Sequence, residues 1–180
     1  MYKLILAGYG GQGMLLAGQM LAFAAMTDGM NVIWLPSYGP EMRGGAASCS
    51  VVISEKPVGS PVVQNACLVA AMSQPALDKY HGSVAPGGIL LYNSALVTVA
   101  EKRDGIQYAG IDFSELTHQL GNPKVYNMIV LGALNELLQC VSIPALHAAL
   151  EDKFGGKKAE LIALNEMAIE AGVAAAKKFS

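Results

Sequence analysis

Apolar positions fall into short unbroken runs in the first two thirds of the chain and into helical spacing in the last third. Residues 3–7 form an apolar run that breaks into glycines, the pattern of a buried strand. Residues 14–25 have helical spacing, with Leu15, Ala22 and Met26 able to share a face, and Asp28-Gly29 stops the helix. Further strands are expected at 31–35, 48–54 (where apolar and polar positions alternate), 66–72, 89–92 and 106–110. Glu55-Lys56-Pro57 and Pro86-Gly87-Gly88 read as turns, and 36–45 is too rich in Gly and Pro for either regular state. Helices are expected at 75–80, from a cap at Asp112 or Ser114 to Gly121, and at 127–140, 143–154 and 158–177.

Strands that alternate with helices and then give way to helices predict an α/β fold. The expected sheet is open, mostly parallel or mixed, flanked by helices on both faces, with a helical C-terminal part. The chain has 180 residues and shows no linker, repeat or low-complexity segment, so residues 1–180 are read as one domain.

Composition changes this picture in one respect. Hydrophobic residues make up 53% of the chain and charged residues 14%, against about 25% charged in an ordinary soluble chain. Residues 4–27 and 57–77 carry no acidic or basic side chain, while the last eighty residues carry 18 of the 26 charges. The N-terminal hundred residues are therefore read as a buried sheet plus a contact surface, and the C-terminal part as solvated helices. An isolated chain with such a surface is expected to self-associate, for example as a homodimer.

The formal net charge of −2 excludes the basic face of a nucleic-acid binder. Residues 14–26 are apolar but too short to span a membrane, and Met1-Tyr2-Lys3 runs into a strand rather than a signal peptide. Cys49, Cys67 and Cys140 form neither a disulfide framework nor a CxxC pair, which points to the cytoplasm and away from an iron–sulfur site in this chain.

Gly8-Tyr9-Gly10-Gly11-Gln12-Gly13 matches G-x-G-x-x-G between a strand and a helix. Such glycines permit a tight turn and close approach to a phosphate at the helix N-terminus. A dinucleotide site also needs an acidic residue after the second strand, to hold the ribose hydroxyls. Here that strand runs Trp34-Leu35-Pro36-Ser37-Tyr38, with no acid before Glu41. Gly8, Gly10, Gly11, Gln12 and Gly13 are left with two readings, a closely packed strand–helix joint or a contact to a phosphate or a partner's backbone.

The loop Ser37-Tyr38-Gly39-Pro40-Glu41-Met42-Arg43-Gly44-Gly45 follows a strand end, where open α/β sheets place their sites. Arg43 is one of two arginines, and the glycines beside it leave its guanidinium open to a carboxylate or phosphate. Tyr38 and Met42 offer apolar contact area. The plain alternative is an ordered loop in which Glu41 and Arg43 pair with each other. His81, His118 and His147 share no ligand spacing, and Ser48, Cys49 and Ser50 lack a histidine partner in the pattern, so neither a metal site nor a hydrolytic triad is expected. Asn127 is read as the cap of the apolar helix that follows it.

The Gly-Gly-Gln-Gly loop followed by Ser-Tyr-Gly-Pro-Glu-Met-Arg-Gly-Gly closely resembles the gamma subunit, or gamma domain, of the 2-oxoacid:ferredoxin oxidoreductases. The likeness continues through Ser60-Pro61, Pro86-Gly87-Gly88, Tyr92-Asn93 and the segment 127–133. It implies a subunit of an enzyme that oxidatively decarboxylates a 2-oxoacid to an acyl-CoA and passes electrons to ferredoxin. The form of the Tyr38–Gly45 motif is most similar to the 2-oxoglutarate members, then to the 2-ketoisovalerate members. In that family thiamine diphosphate with Mg, and the iron–sulfur clusters, are carried by other subunits. The implied partners are alpha, beta and ferredoxin-like delta subunits, with ferredoxin reached through the complex and neither nucleic acid nor membrane involved. Tyr38, Glu41, Met42, Arg43 and Gly44 are then residues of a subunit interface or of the coenzyme A site. No catalytic residue is expected in this chain, which alone should be inactive. The contrasting reading is a self-contained nucleotide-binding oxidoreductase of Rossmann-like fold, which the missing ribose acid disfavours.

Overall fold

A computed structural model describes residues 1–37, 46–155 and 159–180. Six strands form one sheet: β1 (Tyr2–Tyr9), β2 (Asn31–Ser37), β3 (Ala46–Ser54), β4 (Ala66–Ala71), β5 (Val84–Asn93) and β6 (Gln107–Ile111). The helices are α1 (Met14–Thr27), α2 (Gln74–Tyr80), α3 (Phe113–Gln119), α4 (Tyr126–Leu138), α5 (Ile143–Phe154) and α6 (Ala159–Ala176). Short 3₁₀ turns at His81–Ser83 and Pro123–Val125 lead into β5 and α4.

The strand order is β2-β3-β1-β4-β5-β6. β3 runs antiparallel to both β1 and β2, while β1, β4, β5 and β6 run parallel. The sheet is therefore mixed and open, with β1 at the junction of its two halves. The expected turn at Pro86-Gly87-Gly88 is an irregularity inside β5. The register passes from Ala66↔Val84 to Leu68↔Ile89 across it. Gly87 takes φ 75°, and its N–H reaches the Gly105 carbonyl at 2.6 Å.

Side chains alternate across the strands. Leu4, Leu6, Val51, Ile53 and Leu68 join the main core with α1, α3, α4, α5 and α6. Ile5, Ala7, Val69 and Leu90 face the other way, toward Ala76 and Leu77 of α2 and toward Val97. The two faces are unequally covered. At the β2–β3 end of the second face, Tyr80 of α2 reaches Ser48, and Leu35 is 45% exposed.

The C-terminal helices are not simply solvated. Residues 126–135 of α4 are all buried, which makes it the most enclosed helix of the fold. It lies beside α6, whose backbone it approaches at Gly132 and Gly172. The inward face of α1 also differs from the expected one. Ala22 of the expected face is inside together with Met14, Ala17, Leu21 and Ala24, whereas Leu15 is half-buried and Met26 is 63% exposed. Gly18 explains the rotation, because only a residue without a side chain can sit against Cys49 Sγ and the Trp34 indole.

Candidate functional site at the carboxyl end of the sheet

β1 and β4 are adjacent and parallel, yet the helices that follow them pack on opposite faces. α1 belongs to the main core, and α2 covers the other face. The carboxyl ends of β1 and β4 thus form the switch point at which open α/β sheets leave a crevice. The glycine loop occupies this position.

Gln12 holds the loop in shape. Its Oε1 accepts from the Tyr9 N–H at 2.6 Å, and its Nε2 donates to the Met72 carbonyl, just past β4, at 3.1 Å. Gly8 is buried beneath Gln12, where a Cβ would strike Oε1 and lie 3.1 Å from Met72 Cβ. Gly10 and Gly11 are exposed, and Gly11 takes φ 96°. Gly13, at φ 74°, is the N-cap of α1 and has no side chain to offer the helix N–H groups. Across the crevice, Ser73 caps α2 by accepting from the Ala76 N–H.

Asn127 does not cap α4. It is the second residue of the helix, because the 3₁₀ turn Pro123–Val125 is inserted ahead of it and Val125 takes the cap position without a side-chain bond. Asn122 caps that turn instead, accepting from the Lys124 N–H at 2.9 Å. Asn127 is 4% exposed and lies against Gly13, with Nδ2 3.0 Å from where a Gly13 Cβ would sit. Sequence reasoning missed this pairing of α1 and α4, and only Asn122-Pro123 signalled the extra turn.

A second polar group lies at the end of β5. The amide of Asn93, fully buried, donates to Ser114 Oγ at 3.0 Å and Tyr126 Oη at 3.1 Å, and accepts from the Ala95 N–H. Burial pushes the Tyr126 hydroxyl up to about 12, with the Asn93 bond acting in the opposite direction. Both the N–H donors and the carbonyl of the Asn93 amide have partners, so this amide reads as structural.

The expected interface residues Tyr38, Glu41, Met42, Arg43 and Gly44 lie outside the described residues. Their anchors are described: Ser37 ends β2, and Ala46 pairs with Tyr9 at the edge of the glycine loop. Ser37, Ala46 and the glycine loop therefore lie at one end of the sheet. Beside them, on the open face, Leu35, Ser48, Ser50, Val62 and Tyr80 line a hollow of about 300 Å³. Ser48 Oγ is 2.8 Å from Tyr80 Oη, so this serine is held by a phenol rather than a base.

Burial pushes the Cys49 and Cys140 thiols up to about 12 and raises Cys67 as well. His81 contacts Tyr108 Oη at 2.9 Å, and His147 lies 3.5 Å from Glu166. Among the described residues, no helix is long and apolar enough to cross a membrane.

Residues 3–175 match the family described as Pyruvate ferredoxin/flavodoxin oxidoreductase. The chain belongs to this family. Its relatives within the pyruvate ferredoxin/flavodoxin oxidoreductases include the ketoisovalerate oxidoreductase subunit VorA of Methanothermobacter thermautotrophicus. The two are 38% identical over 93% of this chain but only 35% of VorA, so the chain spans about a third of that relative's length. The 2-oxoglutarate synthase subunit KorC of Methanocaldococcus jannaschii is 34% identical over 89% of each chain. The keto/oxoacid ferredoxin oxidoreductase gamma subunit of Geobacter sulfurreducens shares the fold at a TM-score of 0.84 and 32% identity, over 99% of both chains. Within the pyruvate ferredoxin/flavodoxin oxidoreductase family, the likeness is therefore to the gamma-type unit.

Proposed function

We propose that this chain is the gamma subunit of a heteromeric 2-oxoacid:ferredoxin oxidoreductase, with 2-oxoglutarate the first substrate choice and 2-ketoisovalerate the second. The observation that carries this reading is the match to a gamma subunit over 99% of both chains. The relatives named for 2-oxoglutarate and ketoisovalerate support the two substrate choices. In the complex, thiamine diphosphate with Mg and an iron–sulfur cluster on other subunits supply the decarboxylation and electron transfer. This chain acts as a scaffold. Its glycine loop and the loop carrying Tyr38, Glu41, Met42, Arg43 and Gly44 face the catalytic subunits or the phosphates of coenzyme A. Its partners are the alpha, beta and ferredoxin-like delta subunits, and its compartment is the cytoplasm.

The test is reconstitution with and without this chain. With all subunits, 2-oxoglutarate and coenzyme A should drive reduction of ferredoxin, and omission of this chain should abolish the reaction. The chain by itself, supplied with thiamine diphosphate, coenzyme A and an acceptor, should give no turnover. Full activity without the chain, or turnover by the chain alone, overturns the reading.

A further inference from the structure

Residues 94–106 join β5 to β6 and form a strap against α2, with Val97 buried in one cluster with Ala76 and Leu77. Two fastenings hold the strap. At the start of α2, Gln74 Oε1 accepts from the Thr98 N–H at 2.9 Å, and its Nε2 donates to the Thr98 carbonyl at 3.3 Å and to Asp78 Oδ1 at 2.9 Å. At the far end of α2, His81 meets Arg103 and Tyr108. Arg103 Nη1 donates to the His81 carbonyl at 2.7 Å, and the Arg103 N–H donates to Tyr108 Oη at 2.6 Å. His81 Nε2 lies 2.9 Å from the same phenol oxygen, and the two rings meet edge to face with centroids 5.9 Å apart.

A phenol has one proton to give. The Tyr108 oxygen already accepts from Arg103, so the arrangement that satisfies every group sends its proton to His81 Nε2. His81 is then neutral and carries its own proton on Nδ1. The surroundings oppose a second proton. Lys102 Nζ lies 5.4 Å from the centre of the Tyr108 ring, while Lys79 is turned to the Tyr80 ring. Asp78 and Glu101 line a hollow of about 260 Å³ together with His81, yet neither they nor Asp104 is ion-paired with the imidazole. Burial, and after it the Arg103 charge, hold the imidazole below its ordinary 6.5.

We propose that His81, Tyr108 and Arg103 form a pH-sensitive latch on the strap between β5 and β6. At neutral pH the hydrogen bonds run in one direction, from Arg103 through Tyr108 to His81. Acidification turns His81 Nε2 into a donor, facing an oxygen that already accepts one N–H and whose own proton must turn away. It also sets an imidazolium beside the Arg103 guanidinium. The strap then loosens at Arg103, while Gln74, which does not titrate, keeps Thr98 in place. The contribution of the latch is therefore complete above 6.5 and fades as pH falls.

The test is an NMR titration of the isotope-labelled full chain from about pH 8 to about pH 5. At neutral pH the ring nitrogen shifts of His81 should show Nε2 unprotonated and Nδ1 carrying the proton. The midpoint should lie below 6.5, and Arg103→Ala should move it up. The Arg103 amide should follow the same titration, its protection from solvent exchange falling by about fivefold, the size of one hydrogen bond of this kind. The Thr98 amide should keep its protection. His81→Gln, whose Oε1 accepts at every pH, should hold the Arg103 amide protected throughout. A midpoint at or above 6.5 overturns the proposal. So does a protonated Nε2 at neutral pH, or an Arg103 amide that loses protection equally in His81→Gln.

Discussion

Gly132 of α4 lies directly against the backbone carbonyl of Ile169 on α6. The relationship is reciprocal, for Gly172 of α6 meets the carbonyl of Ile129 on α4 in the same way. The two backbones come closer than any side chain allows. Gly132→Val and Gly172→Val are each expected to destabilise the fold by about 1–3 kcal/mol, as forced overpacking does. Urea unfolding measures the loss. Because the two sites share one crossing, the double variant should lose less than the sum of the two single ones.

Stability should fall at alkaline pH. Cys49 and Cys140 are held protonated in the fold up to about 12, whereas the unfolded chain ionises them from an ordinary value of 9.0. The unfolded state therefore releases protons first, so the contribution is complete below 9.0 and is lost as pH climbs toward 12. The limiting slope is about 1.4 kcal/mol per pH unit for each thiol. Chemical unfolding at a series of pH values, repeated on Cys49→Ala and Cys140→Ala, should show a shallower slope in each variant.

Asp28 ties the end of α1 to the start of α5. Its carboxylate accepts from the Ser142 N–H at 2.6 Å and from Ser142 Oγ at 2.7 Å, while Ser142 caps α5 through the Ala145 N–H. Asp28→Ala frees the serine but leaves it able to cap. The expected cost is about 1 kcal/mol, the size of a single exposed cap interaction. Ser142→Ala, which removes the cap itself, should cost at least as much. Thermal unfolding of both variants compares the two losses.

Arg43 is expected to act in the assembled enzyme rather than in the isolated chain. Arg43→Ala should leave the stability of this chain nearly unchanged, since a loop charge adds little to folding. If it pairs with a partner carboxylate in a buried contact, the loss should weaken assembly by about 2–5 kcal/mol and lower the yield of complex. If it binds a coenzyme A phosphate, the Michaelis constant for coenzyme A should rise with assembly intact. Arg43→Lys should restore the function in part, because an ammonium lacks the planar fork. Reconstitution with each variant measures both quantities.

The elements were legible where local chemistry punctuates them. The apolar run ending in Gly8 and Gly10 marked β1 and its joint to α1, and the alternation of Ser48 and Ser50 with Cys49 and Val51 marked β3. Partner choice was not legible. Nothing near residues 2–9 says that β1 will lie between an antiparallel β3 and a parallel β4, because that pairing is decided by non-local registry. The inward face of α1 was also hidden. A helix apolar on nearly every side carries no stripe, and its rotation was set by Gly18 against Trp34. In the candidate site, the glycine loop was visible as a motif, but the contact of Asn127 with Gly13 was not, because the two lie more than a hundred residues apart in sequence.

The central position of β1 also governs how this chain can fold as it is made. Its first strand has no neighbour to bond with until residues 46–54 and 66–71 have been synthesised, and α4 cannot be enclosed before α6 at residues 159–176 emerges. β1 must therefore wait, apolar and unpaired, until β3 and β4 have left the ribosome. Non-local pairing of this kind slows folding and leaves a sticky nascent segment exposed. Slow translation through residues 10–70 would lengthen that exposure, whereas prompt synthesis of β3 and β4 would end it.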